Sequence, residues 1–128
     1  ERAKELNIYK KLIIINKTYN PYSYIRKSKL LILTSVYEGF PNVLVESLTI
    51  GTPVISTNCN AGASEILLDG KGGDLVKIAD YKKLSKKMLS YLNSPKNLVK
   101  KTKIAKKNLY RFGTKKHAKI YTKIFKNI

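Results

Sequence analysis

Glu38 and Glu46 lie eight residues apart in the stretch Ser35-Val-Tyr-Glu-Gly-Phe-Pro-Asn-Val-Leu-Val-Glu46. The residues between them are of the kind a phosphate-binding turn uses. Tyr37 to Pro41 reads as a glycine-containing loop. Asn42 to Ile50 reads as a helix, with Val43, Leu44 and Leu48 on an apolar stripe and Gly51 where a C-cap belongs. A helix that starts just past the end of a strand turns free backbone N–H groups, and the positive end of its dipole, toward the carboxyl edge of the sheet. Anions and ligands of open α/β sheets bind there. A carboxylate beside a bound diphosphate is repulsive unless it has another task. Accepting hydrogen bonds from sugar hydroxyls is such a task, because an ionised carboxylate only accepts. Spacing alone leaves a plainer alternative open, with Glu38 a surface loop residue and Glu46 a solvated helix residue.

The elements that must position this stretch follow from the apolar pattern. Leu12 to Ile15, Leu30 to Leu33, Pro53 to Ser56 and part of Gly73 to Ile78 are short apolar runs, the mark of strands buried on both faces in a parallel sheet. Glu1 to Asn7 reads as the tail of a helix, and Pro21 to Ser28 as one short helix with proline in its first turn. Asn58 to Ser64 reads as a polar loop, Ser64 to Leu68 as a single helical turn capped by Ser64, and Asp69 to Gly73 as a turn. After Asp80 the apolar period becomes helical. Leu84, Met88 and Leu92 form one core-facing stripe, Leu98, Ala105 and Leu109 a second, and Ala118, Tyr121, Phe125 and Ile128 a third. The predicted fold class is α/β: a partial Rossmann-like parallel sheet of about four strands flanked by helices, with C-terminal helices.

With 128 residues the chain suffices for one domain with a real core. It begins with Glu1, from which a trimmed or fragmentary chain is expected. The charged stretch Glu1 to Lys11 lacks the apolar segment of a signal peptide, and no apolar run approaches the ~18–20 residues that span a bilayer. The single cysteine, Cys59, excludes an internal disulfide framework and fits a reducing cytoplasm. One cysteine and one histidine, His117, give no basis for a metal site, so no metal is expected. The net charge of +18 is concentrated toward the end: Lys77 to Ile128 holds 17 Lys/Arg and one acid, Asp80. Such charge attracts polyanions, unless it is only lysine accumulated on solvated faces.

Several motifs in register turn this outline into a resemblance. Tyr37-Glu-Gly-Phe-Pro-Asn-Val-Leu-Val-Glu-Ser47 is followed by Gly51-Thr-Pro-Val-Ile-Ser-Thr57, Gly62-Ala-Ser-Glu-Ile-Leu67 and Gly70-Lys-Gly-Gly-Asp-Leu-Val76, with Asn20 to Leu30 ahead of them. From about Leu12 onward the chain resembles glycosyltransferase family 4, retaining enzymes of GT-B fold whose E-x7-E motif falls here on Glu38 and Glu46. The resemblance implies that Glu46 bonds the ribose of a nucleotide-sugar. It implies that the backbone of Gly39, Phe40, Pro41, Asn42 and Val43 cradles the diphosphate and donor sugar, and that Glu38 is the catalytic-site residue beside the reacting carbon. It gives Glu65 a structural role, bonding loop N–H groups. Ala63 departs from a proline common in that loop. Phe112 and the last helix resemble C-terminal helices that pack back toward the second domain.

The same resemblance implies what the chain lacks. Residues 1–128 correspond to a partial nucleotide-sugar-binding domain, and the acceptor-binding N-terminal domain is absent. So are a Gly-Arg element and a lysine that neutralise the leaving diphosphate, a large share of barrier lowering. The isolated chain is therefore expected to be inactive. In the sheet order 3-2-1-4-5-6 the runs at Leu12 and Leu30 are strands three and four, separated by a gap of ~14 Å. The implied partners are a nucleotide-sugar donor, UDP-linked at family level, and a glycan or lipid-linked acceptor reached through the missing domain. The nucleotide-sugar is a substrate, and no cofactor is implied. An anionic membrane surface at the cytoplasmic face fits the basic helices. Two other readings are a non-functional gene remnant and a basic nucleic-acid-binding module. The second lacks the aromatic, zinc or helix-turn-helix signatures of such modules.

Overall fold

The computed structural model describes residues 1–127, apart from the side chains of Asn60 and Ala61. Three short parallel strands, β1 (Leu31–Leu33), β2 (Val54–Thr57) and β3 (Asp74–Val76), lie in the order β1-β2-β3. Leu31 pairs with Val54, and Ile55 with Asp74. Each connection is a crossover containing a helix, as parallel neighbours require. The first crossover holds α3 (Asn42–Ile50) and the second α4 (Asn60–Ile66). Before the sheet stand α1 (Arg2–Glu5) and α2 (Pro21–Lys27), and after it α5 (Tyr81–Asn93), α6 (Lys96–Asn108), a short 3-10 turn at Leu109–Phe112, and α7 (Thr114–Phe125).

Strand β2 is buried on both faces, and its alternation splits the core in two. Val54 points into a cluster with Leu44, Leu48, Cys59, Ala63, Ile66, Leu67 and Ala105, which α3, α4 and α6 close. Ile55 points into a smaller cluster with Val76 and Leu98, against which Leu84, Met88 and Tyr91 pack. The helix ends follow local chemistry. The Asn20 side chain accepts the Ser23 N–H at 3.3 Å and Pro21 opens α2. Gly51 ends α3 at φ +99°, and Asp80 caps α5 by accepting the Lys83 N–H at 2.9 Å.

Four expectations are corrected. The sheet has three strands, because Leu12 to Ile15 forms none: Ile13 is 88% exposed and Ile14 75%. An apolar run becomes a buried strand only beside a strand that takes its backbone hydrogen bonds; here the Leu12 N–H goes to the nearby Tyr9 carbonyl at 3.1 Å and no described strand pairs with the run. The run is neither paired directly to β1 nor set off from it as a strand across a gap. Asn58 to Ser64 is not wholly loop, since α4 begins at Asn60. Ser64 lies inside that helix rather than at its cap, and its hydroxyl donates to the Asp69 carboxylate. On α5, Leu92 is exposed, whereas Tyr91 packs inward and donates its hydroxyl to the Lys29 carbonyl at 2.7 Å. The apolar stripe of α7 is not core, because Tyr121 and Phe125 are exposed and no described element covers them. Ile128 lies outside the described residues.

Candidate functional site

Strands β1 and β2 end at the same edge of the sheet, and the loop 34–41 leaves β1 there to enter α3. Two hydroxyls shape its first half. The Thr57 hydroxyl, at the end of β2, donates to the Ser35 carbonyl at 2.6 Å. The Ser35 hydroxyl donates to Glu38 Oε1 at 2.7 Å. Pro41, buried, then sets the start of α3 without a side-chain cap. Asn42 N–H is taken by the Phe40 carbonyl and Leu44 N–H by the Pro41 carbonyl. The N–H groups of Gly39, Phe40 and Val43 have no acceptor among the described residues. Three unclaimed donors at the positive end of a helix are what an anion needs.

Gly39 adds an independent observation. A Cβ placed on it would meet nothing within 4 Å, and its φ is not in the left-handed range. Neither packing nor conformation within the chain demands glycine there. The bare backbone stands open, as it must where a ligand approaches closely. Gly62 shows the opposite: a Cβ there would lie 2.8 Å from the Gly39 carbonyl oxygen and 3.0 Å from Pro41 Cδ. Only glycine lets α4 press against the back of the loop.

A third support comes from the C-terminal segment. The Phe112 ring meets Phe40 edge-on, with centroids 5.2 Å apart. Arg111 lies over the Phe112 ring at 4.9 Å and donates to the carbonyls of Glu65, at 3.0 Å, and Asn108, at 3.2 Å. The expected role of Glu65 is thereby corrected. Its exposed side chain bonds no loop N–H among the described residues, and its backbone carbonyl is what ties α4 to Arg111.

The structure thus gathers Glu38, Gly39, Phe40, Pro41, Asn42 and Val43 into one loop and helix start, with Glu46 about one turn further along α3. Glu46 is half-buried and makes no hydrogen bond or ion pair among the described residues, so its carboxylate is available to a ligand. Among the described residues no group of three or more His, Cys, Asp or Glu converges as a metal site. A pocket of about 130 Å³ opens beside the same strand ends, lined by Thr34, Thr57, Lys77, Asp80 and Tyr81. A wider groove of about 460 Å³ runs along α7 between Lys119, Lys123 and Lys126 and includes none of the loop residues. Ser35 was findable from sequence, three residues before Glu38 in the same loop. Thr57 and Phe112 reach the loop from distant positions, and spacing carries no signal for them.

Comparison with known proteins gives the family. Residues 1–109 match the family described as Glycosyl transferases group 1. The chain belongs to it. The match ends before α7. Among curated relatives, an N-acetylgalactosamine-N,N'-diacetylbacillosaminyl-diphospho-undecaprenol 4-alpha-N-acetylgalactosaminyltransferase of Campylobacter jejuni is 40% identical over 75 residues, covering 59% of this chain and 20% of the relative. A lipopolysaccharide 1,6-galactosyltransferase of Escherichia coli is 33% identical over 82 residues, covering 61% of this chain and 23% of the relative. The chain therefore spans about a fifth of the length of these relatives. Among solved structures, Anabaena HepE in complex with UDP superposes at TM-score 0.90 with 17% identity, covering 99% of this chain and 35% of that one. TarM superposes at 0.86 with 21% identity, covering 97% and 25%. The three-stranded parallel sheet with its flanking and C-terminal helices is that of GT-B glycosyltransferases.

Proposed function

We propose that this chain is the donor-binding part of a retaining glycosyltransferase of the family 4 type, which moves a sugar from a UDP-linked donor to a glycan or lipid-linked acceptor. Glu46 accepts the ribose hydroxyls, the backbone of Gly39 to Val43 holds the diphosphate, and Glu38 faces the donor sugar beside the reacting carbon. The observation that carries this reading is the open Gly39 backbone with its unclaimed N–H groups, set between two carboxylates at the carboxyl edge of the sheet. The UDP in the HepE structure and the sugar-transfer names of the relatives favour it. The acceptor-binding domain and the cations that neutralise a leaving diphosphate lie outside residues 1–128, so the isolated chain binds donor without turnover.

Calorimetric titration of the chain with UDP, and with UDP-galactose and UDP-N-acetylgalactosamine, tests the reading. Binding that is weakened about tenfold or more by Glu46→Ala is expected from loss of hydrogen bonds to a charged acceptor. Undiminished binding by that variant rejects the assignment of Glu46. Sugar release by the pure chain rejects its inactivity. The reading also puts the protein at the cytoplasmic face of an anionic membrane, where lipid-linked acceptors reside, with the basic C-terminal helices toward the lipid.

A further inference from the structure

We infer that Ser35 is a positioning residue for Glu38, and that Thr57 holds Ser35 in place for that task. The inference rests on the donor-binding reading above and adds to it two residues outside the paired-glutamate motif. A glutamate in a surface loop has three side-chain torsions and no reason to hold one of them. Here the Ser35 hydroxyl donates to Glu38 Oε1 at 2.7 Å, which tethers that oxygen. Oε2 has no partner among the described residues, so one oxygen is tethered while the other stays available to a sugar hydroxyl. Ser35 is itself tethered through its carbonyl, which accepts the Thr57 hydroxyl at 2.6 Å. Thr57 is the last residue of β2 and is buried. The chain of contacts runs from the buried central strand of the sheet, through Ser35, to one oxygen of the carboxylate.

This arrangement does more than close a turn. The backbone of the loop is held without that hydroxyl, at Ser35 by the Thr57 hydroxyl on its carbonyl and at residues 39–41 by buried Pro41, by Gly62 pressed against the Gly39 carbonyl and by Phe112 against Phe40. Removing one hydroxyl from a loop so constrained leaves its course intact and frees only the carboxylate. The cost then falls on whatever Glu38 touches, which is the sugar and not the nucleotide.

The test is calorimetry on the 128-residue chain with UDP and with whichever of UDP-glucose, UDP-galactose and UDP-N-acetylgalactosamine binds tightest, paired with melting temperatures. Ser35→Ala is expected to weaken the UDP-sugar about tenfold, the size of a lost bond to a charged group, and to leave UDP unchanged. Ser35→Thr, which keeps the hydroxyl, restores binding. In the background of Glu38→Gln the Ser35→Ala change has a smaller effect than it has alone. Equal weakening of UDP and UDP-sugar, or a lowered melting temperature with no recovery in Ser35→Thr, makes Ser35 a structural residue and overturns the inference. So does Ser35→Ala binding the UDP-sugar as tightly as the unaltered chain. An unaltered chain that binds neither ligand removes the donor-binding reading and this inference together, a result distinct from the other two.

Discussion

Gly39 and Gly62 face each other across the loop under opposite constraints, and a pair of substitutions separates binding from folding. At Gly39 a side chain would enter space that nothing in the chain fills, so Gly39→Val is expected to change stability by less than about 0.5 kcal/mol, as at other open surface positions. It should nevertheless abolish UDP binding by blocking the backbone. At Gly62 a single methyl would sit 2.8 Å from the Gly39 carbonyl oxygen, so Gly62→Ala forces α4 and the loop apart at a cost of about 1–3 kcal/mol, the usual range for overpacking. Urea unfolding of both variants beside calorimetry with UDP checks the pair. A Gly39→Val chain that binds UDP normally would mean that the diphosphate does not lie against this backbone. Much of this site was legible in the residues themselves. The glycine, proline and two carboxylates of one continuous stretch announce a turn, a helix start and two acceptors. The reason for Gly62 was not legible, because the carbonyl it makes room for lies far away in sequence and only the folded crossover brings it near.

Among the elements, α3 shows how far local chemistry reaches. Its start after Pro41 and its end at left-handed Gly51 both follow from residues within one turn, and both ends match the reading from sequence. Helix α4 and the run Leu12 to Ile15 fail for complementary physical reasons. The first is short and carries Gly62, a residue that weakens any helical signal yet is required by packing. The second has the composition of a buried strand without neighbours to bury it. The polar tie of α5 and α6 to the sheet, added to their apolar packing, was equally invisible, since it runs through Asp74 at the start of β3. Its carboxylate meets Lys101 of α6 at 2.6 Å and Lys87 of α5 at 3.2 Å. Burial alone would raise the Asp74 pKa, but hydrogen bonds and charge from Lys101 and then Lys87 outweigh it, and the net shift is downward from 3.8. A depressed folded value means that the ionised aspartate stabilises the fold above pH 3.8, and that this contribution disappears as pH falls below 3.8 through the lowered value. Asp74→Asn should therefore lower the unfolding free energy obtained from urea titration at pH 7, by about 1.5–3 kcal/mol for hydrogen bonds to a charged group. The gap between variant and unaltered chain should narrow as pH falls below 3.8. A gap that stays constant with pH would mean that Asp74 acts through shape and not charge.

At the scale of the whole molecule the unanswered feature is α7, which lies beyond the family match and shows two unlike flanks. Ile120, Tyr121, Ile124 and Phe125 are 46, 59, 50 and 71% exposed along one side. Lys115, Lys119, Lys123 and Lys126 recur along the other, and the helix carries no acid. A helix with an apolar aromatic flank, a lysine flank and no acid has the composition of one that lies in a membrane interface, with its long lysine stems reaching to the headgroups. No described helix is long and apolar enough to cross a bilayer. Each lysine near an anionic surface contributes about 1 kcal/mol, and burial of Phe125 and Ile124 adds an apolar term that salt does not screen. The two terms make separable predictions. The chain should sediment with vesicles containing a third phosphatidylglycerol and not with pure phosphatidylcholine. Raising the salt should weaken the association. Phe125→Asp should weaken it even at low salt while leaving UDP binding intact, because the main tertiary contacts of α7 are with the Leu109–Phe112 turn, whose Phe112 is what meets Phe40 of the donor loop. Failure to sediment with the anionic vesicles would take the lipid surface away from α7 and leave its apolar flank to a protein partner. Sedimentation unaffected by Phe125→Asp would attribute the binding to the lysines and not to the apolar flank of α7.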